Sequence, residues 1–124
     1  MGRPTLRPKE TRYDVPKWGW AVPYTSPTGV TTTLYGIGTV ADALGRTAQT
    51  IRKWEIGGTI PLTPFKIGGR RMYSDEHIDA LVECAEKSHI RPGVSIPHTS
   101  FFFFFYKRYE ELYRYFFVKE EDNQ

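Results

Sequence analysis

Apolar positions recur along this chain with two different periods, and the change from one to the other marks out its parts. Residues 1 to about 33 show no helical period. Pro4, Pro8, Pro16, Pro23 and Pro27 interrupt any helix, and Thr25-Ser26-Pro27-Thr28-Gly29 has the composition of a turn. Trp18, Trp20, Val22 and Tyr24 alternate with Gly19, Ala21 and Pro23, the period of an extended, partly buried segment. Thr31-Thr32-Thr33-Leu34-Tyr35 has strand propensity. The period then becomes helical: Ile37, Val40, Ala41 and Leu44 make one apolar stripe that Gly45 ends. Thr47 is placed to cap a second helix, in which Ala48, Ile51 and Trp54 face inward while Gln49, Thr50, Arg52 and Lys53 project elsewhere. Gly57-Gly58 and Pro61 close that helix.

Downstream, Phe65-Lys66-Ile67 and Arg71-Met72-Tyr73 read as short strands joined around Gly68-Gly69, a hairpin with Lys66, Arg70 and Arg71 crowding its tip. Ser74 is placed to cap a third helix, with Asp75 and Glu76 in its first turn and Ile78, Leu81, Val82 and Ala85 on its buried stripe; Arg91-Pro92-Gly93 marks its end. Between Phe101 and Val118 stand 11 aromatic residues. Among them Phe101, Phe105, Tyr109, Leu112 and Phe116 recur at helical spacing, with Lys107, Arg108, Glu110, Glu111 and Arg114 on the other faces. So much aromatic surface needs a cover. Three covers are open: the N-terminal Trp segment, a second copy of the chain, or a membrane surface.

Composition narrows the class. With 40% hydrophobic and 25% charged residues in 124, the chain has room for one compact folded domain plus extensions. A single cysteine, Cys84, excludes an internal disulfide and suits a reducing compartment. Without a secretory leader or a long uncharged apolar run, the expected location is the cytoplasm. The net charge of +3 is modest, but it is unevenly spread. Arg46 to Arg71 holds six basic residues against Glu55, whereas Ser74 to Lys87 holds five acids against Lys87. A basic front suits a phosphate backbone; the acids either form an opposed back or decorate a solvated helix face. His77, His89, His98 and Cys84 lack ligand-like spacing, and no nucleophile elbow, phosphate loop or His-Glu-x-x-His helix occurs, so no metal, cofactor or catalysis is expected.

The ordered set Tyr35-Gly36-Ile37-Gly38-Thr39-Val40-Ala41, Gly45 through Glu55, Gly58-Thr59-Ile60-Pro61 and Arg70-Arg71-Met72-Tyr73-Ser74 resembles the DNA-binding domain of the MerR family. It is also similar to excisionase-type domains and to the DNA-binding domain of some phage small terminase subunits. The resemblance covers about residues 35 to 87, and implies that the second helix reads a DNA groove while the hairpin, or wing, holds the backbone. The family's regulators usually carry a long dimerising helix and a sensing segment. Here about 34 residues follow the third helix, with no Cys pair, so an effector domain is not expected.

The fold expected is therefore mainly α with a small β-hairpin: an extended basic arm (1–34), a winged helix-turn-helix (35–90), and a linker with an aromatic-rich C-terminal helix (91–124). Thr47, Gln49, Thr50 and Lys53 are candidates for base edges, and Arg52, Lys66, Arg70, Arg71 and Tyr73 for phosphate and sugar. Arg46 is a further candidate for the DNA face or a surface residue of the turn. The expected partner is double-stranded DNA, with a homodimer through the C-terminal helix. The expected role is a small MerR-like transcriptional regulator; an excisionase-like or terminase-like DNA recognition factor, or a protein-interaction module using the aromatic tail, are the alternatives.

Overall fold

The computed structural model describes residues 10–17, 19–87 and 98–119, the side chains of 87 and 98–103 aside. It contains strands β1 (Ala21–Thr25), β2 (Thr31–Tyr35), β3 (Phe65–Ile67) and β4 (Arg70–Ser74), and helices α1 (Ile37–Leu44), α2 (Ala48–Gly57), α3 (Asp75–Lys87) and α4 (His98–Phe117). The helix-turn-helix and its wing are present as the local signals require. Gly45 closes α1 at φ 66°, a left-handed position that glycine takes without a Cβ clash. The Thr47 side chain caps α2 by accepting from the Thr50 amide at 3.2 Å. Ser74 Oγ does the same at the start of α3, accepting from the His77 amide at 3.0 Å. Both residues of the wing turn, Gly68 and Gly69, have positive φ, as a tight two-residue hairpin needs.

The N-terminal part differs from the extended arm expected of it. β1 and β2 form a second hairpin, paired from Ala21 opposite Tyr35 to Thr25 opposite Thr31. The Pro27-Thr28-Gly29 turn closes it, with the Gly29 amide donating to Ser26 O at 2.9 Å and the Ser26 amide to Val30 O at 2.8 Å. β2 then pairs with β4 through Leu34–Ser74 and Tyr35–Tyr73, so the wing hairpin is the far half of one antiparallel sheet of order β1-β2-β4-β3. The boundary expected at residues 34/35 falls inside β2. The expected end of α3 at Arg91-Pro92-Gly93 and the arm's first nine residues lie outside the described residues.

Helix α4 buries the stripe read from the sequence, on a surface that includes the expected N-terminal segment and also α3 and the wing. Phe105, Tyr109, Leu112 and Phe116 are buried. They pack on α3 and on the sheet, whose first strand brings Val22 of the N-terminal Trp segment into one cluster with Leu112 and Phe116, half-buried Trp20 and Tyr24 lying against it. Tyr109 meets the His77 ring edge-on at 4.6 Å between centroids, and Phe116 meets Phe65 of β3 at 5.3 Å. These contacts close the core over Val22, Leu34, Met72 and Ala80. The stripe is thus used within the chain and is not free to hold a second copy. Burying four such side chains contributes roughly 6–12 kcal/mol, comparable to the whole stability of a small domain. Thr28 ties the turn of the first hairpin to the end of this helix, its hydroxyl donating to Tyr115 O and Phe116 O at 2.9 and 3.0 Å. Trp18 lies outside the described residues.

Candidate nucleic-acid interface

The helical period gives α2 two unlike sides. Ile51 is fully buried and Trp54 half-buried, the latter under the Arg46 guanidinium at 5.4 Å from the ring centroid. Arg46 therefore packs from the turn onto α2. On the outward side Gln49, Arg52 and Lys53 are exposed and Thr50 is half-buried. Thr47 is exposed too, but its hydroxyl serves the cap and lies 3.0 Å from Thr50 Oγ1.

The wing stands beside this face. Lys66 and Arg70, near its tip, are exposed. Arg71 and Tyr73 are employed differently. Arg71 is half-buried, donates from Nη1 to Thr63 O at 3.2 Å and stands with Nε 4.0 Å from Glu55 Oε2. Tyr73 has no exposed surface and its hydroxyl donates to Glu55 Oε2. Burial drives the Tyr73 pKa far above its ordinary value, with Tyr109 and the Glu55 bond adding to the effect, so the hydroxyl remains a donor at any working pH. Tyr73 is consequently corrected from a sugar or phosphate contact to an internal strut. Glu55 of α2, Tyr73 and Arg71 of β4 form a three-residue tie that fixes the angle between helix and wing.

Helix, wing and the segment before β1 enclose a groove of about 530 Å³, whose lining includes Trp20, Ile37, Arg52, Ile56, Arg70 and Met72. Its cations come from α2 and the wing, and its apolar part from residues that sequence reasoning did not assign to this face. Ile56 was findable in principle, as an apolar residue seven positions after Gln49 on a polar helix face; Trp20 and Met72 were not, since only the sheet brings them there.

The acids of α3 form neither a free back nor a plain solvated face. Asp75 is buried and accepts from Tyr35 Oη at 2.6 Å, and Glu76 accepts from Thr32 Oγ1 at 2.6 Å. Asp79 takes bonds from Arg12 and Tyr13. Three of the five acids therefore clasp the N-terminal segments, while Glu83 and Glu86 are exposed. Burial raises the Asp75 pKa even though the Tyr35 bond opposes it.

His77 and Cys84 both face the core. His77 Nδ1 lies 2.7 Å from Ser74 Oγ, and burial lowers the ring's pKa to about 3, which keeps it neutral. Cys84 sits in the cluster with Phe105 and Tyr109. Among the described residues no group of three or more His, Cys, Asp or Glu side chains is placed to hold a metal ion. Nor is any described helix long and apolar enough to cross a membrane.

Residues 35–86 match the model of the family described as MerR HTH family regulatory protein, a span of less than half the chain. No curated protein and no solved structure matches the chain. The matched stretch runs from the end of β2 through α1, α2 and the wing into α3, so a MerR-like helix-turn-helix, a DNA-binding type of domain, occupies the middle of the molecule.

Proposed function

We propose that this MerR-like domain binds double-stranded DNA sequence-selectively, with α2 in the major groove and the β3–β4 wing on the flanking backbone, and that the protein regulates transcription without carrying out chemistry. One observation carries the reading. Arg52 of α2 and Arg70 of the wing tip line one groove, and together with Gln49, Lys53 and Lys66 on the same two elements they are exposed and hold no structural post among the described residues. Arg71 and Tyr73, by contrast, have such posts. Gln49 and Thr50, in the first turn of α2, are the base-edge readers, because glutamine donates and accepts together as adenine's major-groove edge requires. Arg52, Lys53, Lys66 and Arg70 hold phosphates. The regulatory part of the reading rests on the family's description.

Two copies read two half-sites, and they meet through the outer face of α4, since the inner face is occupied. Phe104, Arg108, Glu111, Tyr115 and Val118 are exposed and spaced alternately by four and three residues, the spacing of a helix–helix seam. An antiparallel pair centred between residues 109 and 110 sets Arg108 against Glu111 and Phe104 against Tyr115 on both sides of the two-fold axis. Within each helix Arg108 Nη1 already donates to Glu111 Oε1 at 2.9 Å, so the apolar pair Phe104 and Tyr115 carries the self-complementarity of the seam.

Selecting bound fragments from a random duplex pool tests the reading. A short preferred site, arranged two-fold, and loosened at one or two positions by Gln49→Ala, is the expected result. Recovery of no enriched sequence sinks sequence-selective binding, and an asymmetric single half-site sinks the two-copy arrangement.

A further inference from the structure

Ile56 is 88% exposed, the most exposed large hydrophobic residue among those described. It stands on α2 three residues after Lys53, four after Arg52 and seven after Gln49, which places it on the same outward stripe as these polar residues and away from buried Ile51. A β-branched side chain lowers helix propensity slightly, and here it gains no packing in return. Lysine, glutamate or glutamine would serve the isolated fold better at such a surface position. The side chain borders the groove that Arg52 and Arg70 also line, and beside it Gly57 has open space on its outer side. An apolar group surrounded by cations on a face open to approach needs an apolar partner that arrives together with phosphates.

We propose that Ile56 is a base-reading residue that packs on the C5-methyl group of a thymine in the major groove. This rests on the DNA-binding reading above. The thymine methyl is the apolar group that base edges offer in that groove; cytosine presents only a C5–H there. Helix geometry also gives a position. Seven residues along α2 span about 10 Å, so the thymine lies about three base pairs from the base that Gln49 reads. Ile56 thus contributes sequence preference without a hydrogen bond, while Arg52 and Arg70 beside it contribute affinity that is blind to sequence.

The test uses the full chain and its selected duplex. Each thymidine is replaced singly by deoxyuridine, which removes the methyl and leaves base pairing intact, and affinity is measured for wild type and for Ile56→Ala. The expected result is one position in each half-site, about three base pairs from the Gln49 contact, at which deoxyuridine weakens wild-type binding about fourfold, the worth of one buried methyl. Ile56→Ala binds the parent duplex more weakly, is insensitive to deoxyuridine at that position, and melts at the wild-type temperature because the side chain is exposed. Equal affinity of Ile56→Ala and wild type, undiminished sensitivity of the variant at every position, or a selected site with no thymine at that distance overturns the assignment while leaving DNA binding intact. Failure of wild type to retain any duplex overturns the DNA-binding reading itself, and the assignment with it.

Discussion

The sheet ends in two hairpins of opposite character. The turn of the β1–β2 hairpin is fastened at several points: Ser26 is buried, and Thr28 bonds to two carbonyls at the end of α4. Further along, Tyr35 and Thr32 of β2 bond to the acids of α3. The β3–β4 hairpin is anchored chiefly at its base, where Phe65 packs against Phe116 and His77 and where Tyr73 holds Glu55, with half-buried Ile67 packing on the same cluster nearer the turn. Its tip, with Lys66, Gly68, Gly69 and Arg70, is exposed. The same secondary structure is a structural clasp at one edge and a free cationic finger at the other. Polar side chains that the fold does not employ are the ones to assign to a partner, and by that criterion Lys66 and Arg70 qualify while Tyr73 and Arg71 do not.

The largest effect expected is on the clasp. Phe116→Ala removes the side chain that joins α4 to Phe65 and empties a fully buried position. A loss of about 3–5 kcal/mol, read from the denaturation midpoint, is the expectation. A loss under about 1 kcal/mol would mean that α4 is not part of the core and that the first hairpin is as free as the second.

Acid should weaken the region where the wing's base meets α4. Buried His77 stays neutral until about pH 3, whereas the unfolded chain takes up its proton near pH 6.5. Its folded-state pKa is depressed, so unfolding binds a proton throughout the interval between those values. The contribution to stability is full above pH 6.5 and falls as pH drops towards 3, by at most about 1.4 kcal/mol per pH unit. His77→Phe should lose this component of the acid dependence. An identical pH profile for variant and wild type, measured by thermal melting, would show that His77 is not buried neutral.

The smallest effect is at the turn. Thr28→Val keeps the shape and deletes the donor to Tyr115 O and Phe116 O, for an expected cost of about 1 kcal/mol. DNA affinity should not change, because the first hairpin is structural. Weaker DNA binding at temperatures where Thr28→Val is fully folded would erase the distinction between the hairpins.

What the sequence disclosed follows from where the signals reside. α1, α2, the wing and α3 carry local punctuation at Gly45, Thr47, Gly68-Gly69 and Ser74, and each mark acts within a few residues of itself. Even the buried stripe of α4 was legible from its period. Of what that stripe packs on, the N-terminal Trp segment was among the covers open to it, whereas His77 was not legible, because it reads in sequence only as a residue on the third helix. The joining of β2 to β4 was missed for a related reason: Leu34 meets Ser74 forty residues away, and nothing local in either segment specifies that pairing, whereas the two extended segments and the turn of the β1–β2 hairpin were each legible and only their pairing was not. Tyr73 was misplaced because β4 runs between two other strands and is covered on both faces. Met72, Tyr73 and Ser74 are all fully buried, and no alternation survives to tell inward from outward. The exposed polar stripe of α2 was legible from its period, whereas the tie that Glu55 on that helix makes to the wing was not.

The central claim is that the free hairpin touches phosphate and the fastened one does not, and the salt dependence of DNA binding tests it most directly. Affinity for one selected duplex is measured from about 50 to 200 mM salt for wild type, Lys66→Ala and Arg70→Ala. The account predicts that each substitution weakens binding about evenly across sequences, lowers the slope of log affinity against log salt by about one, and leaves the melting temperature unchanged. A slope equal to wild type in both variants would contradict it and remove the wing from the interface.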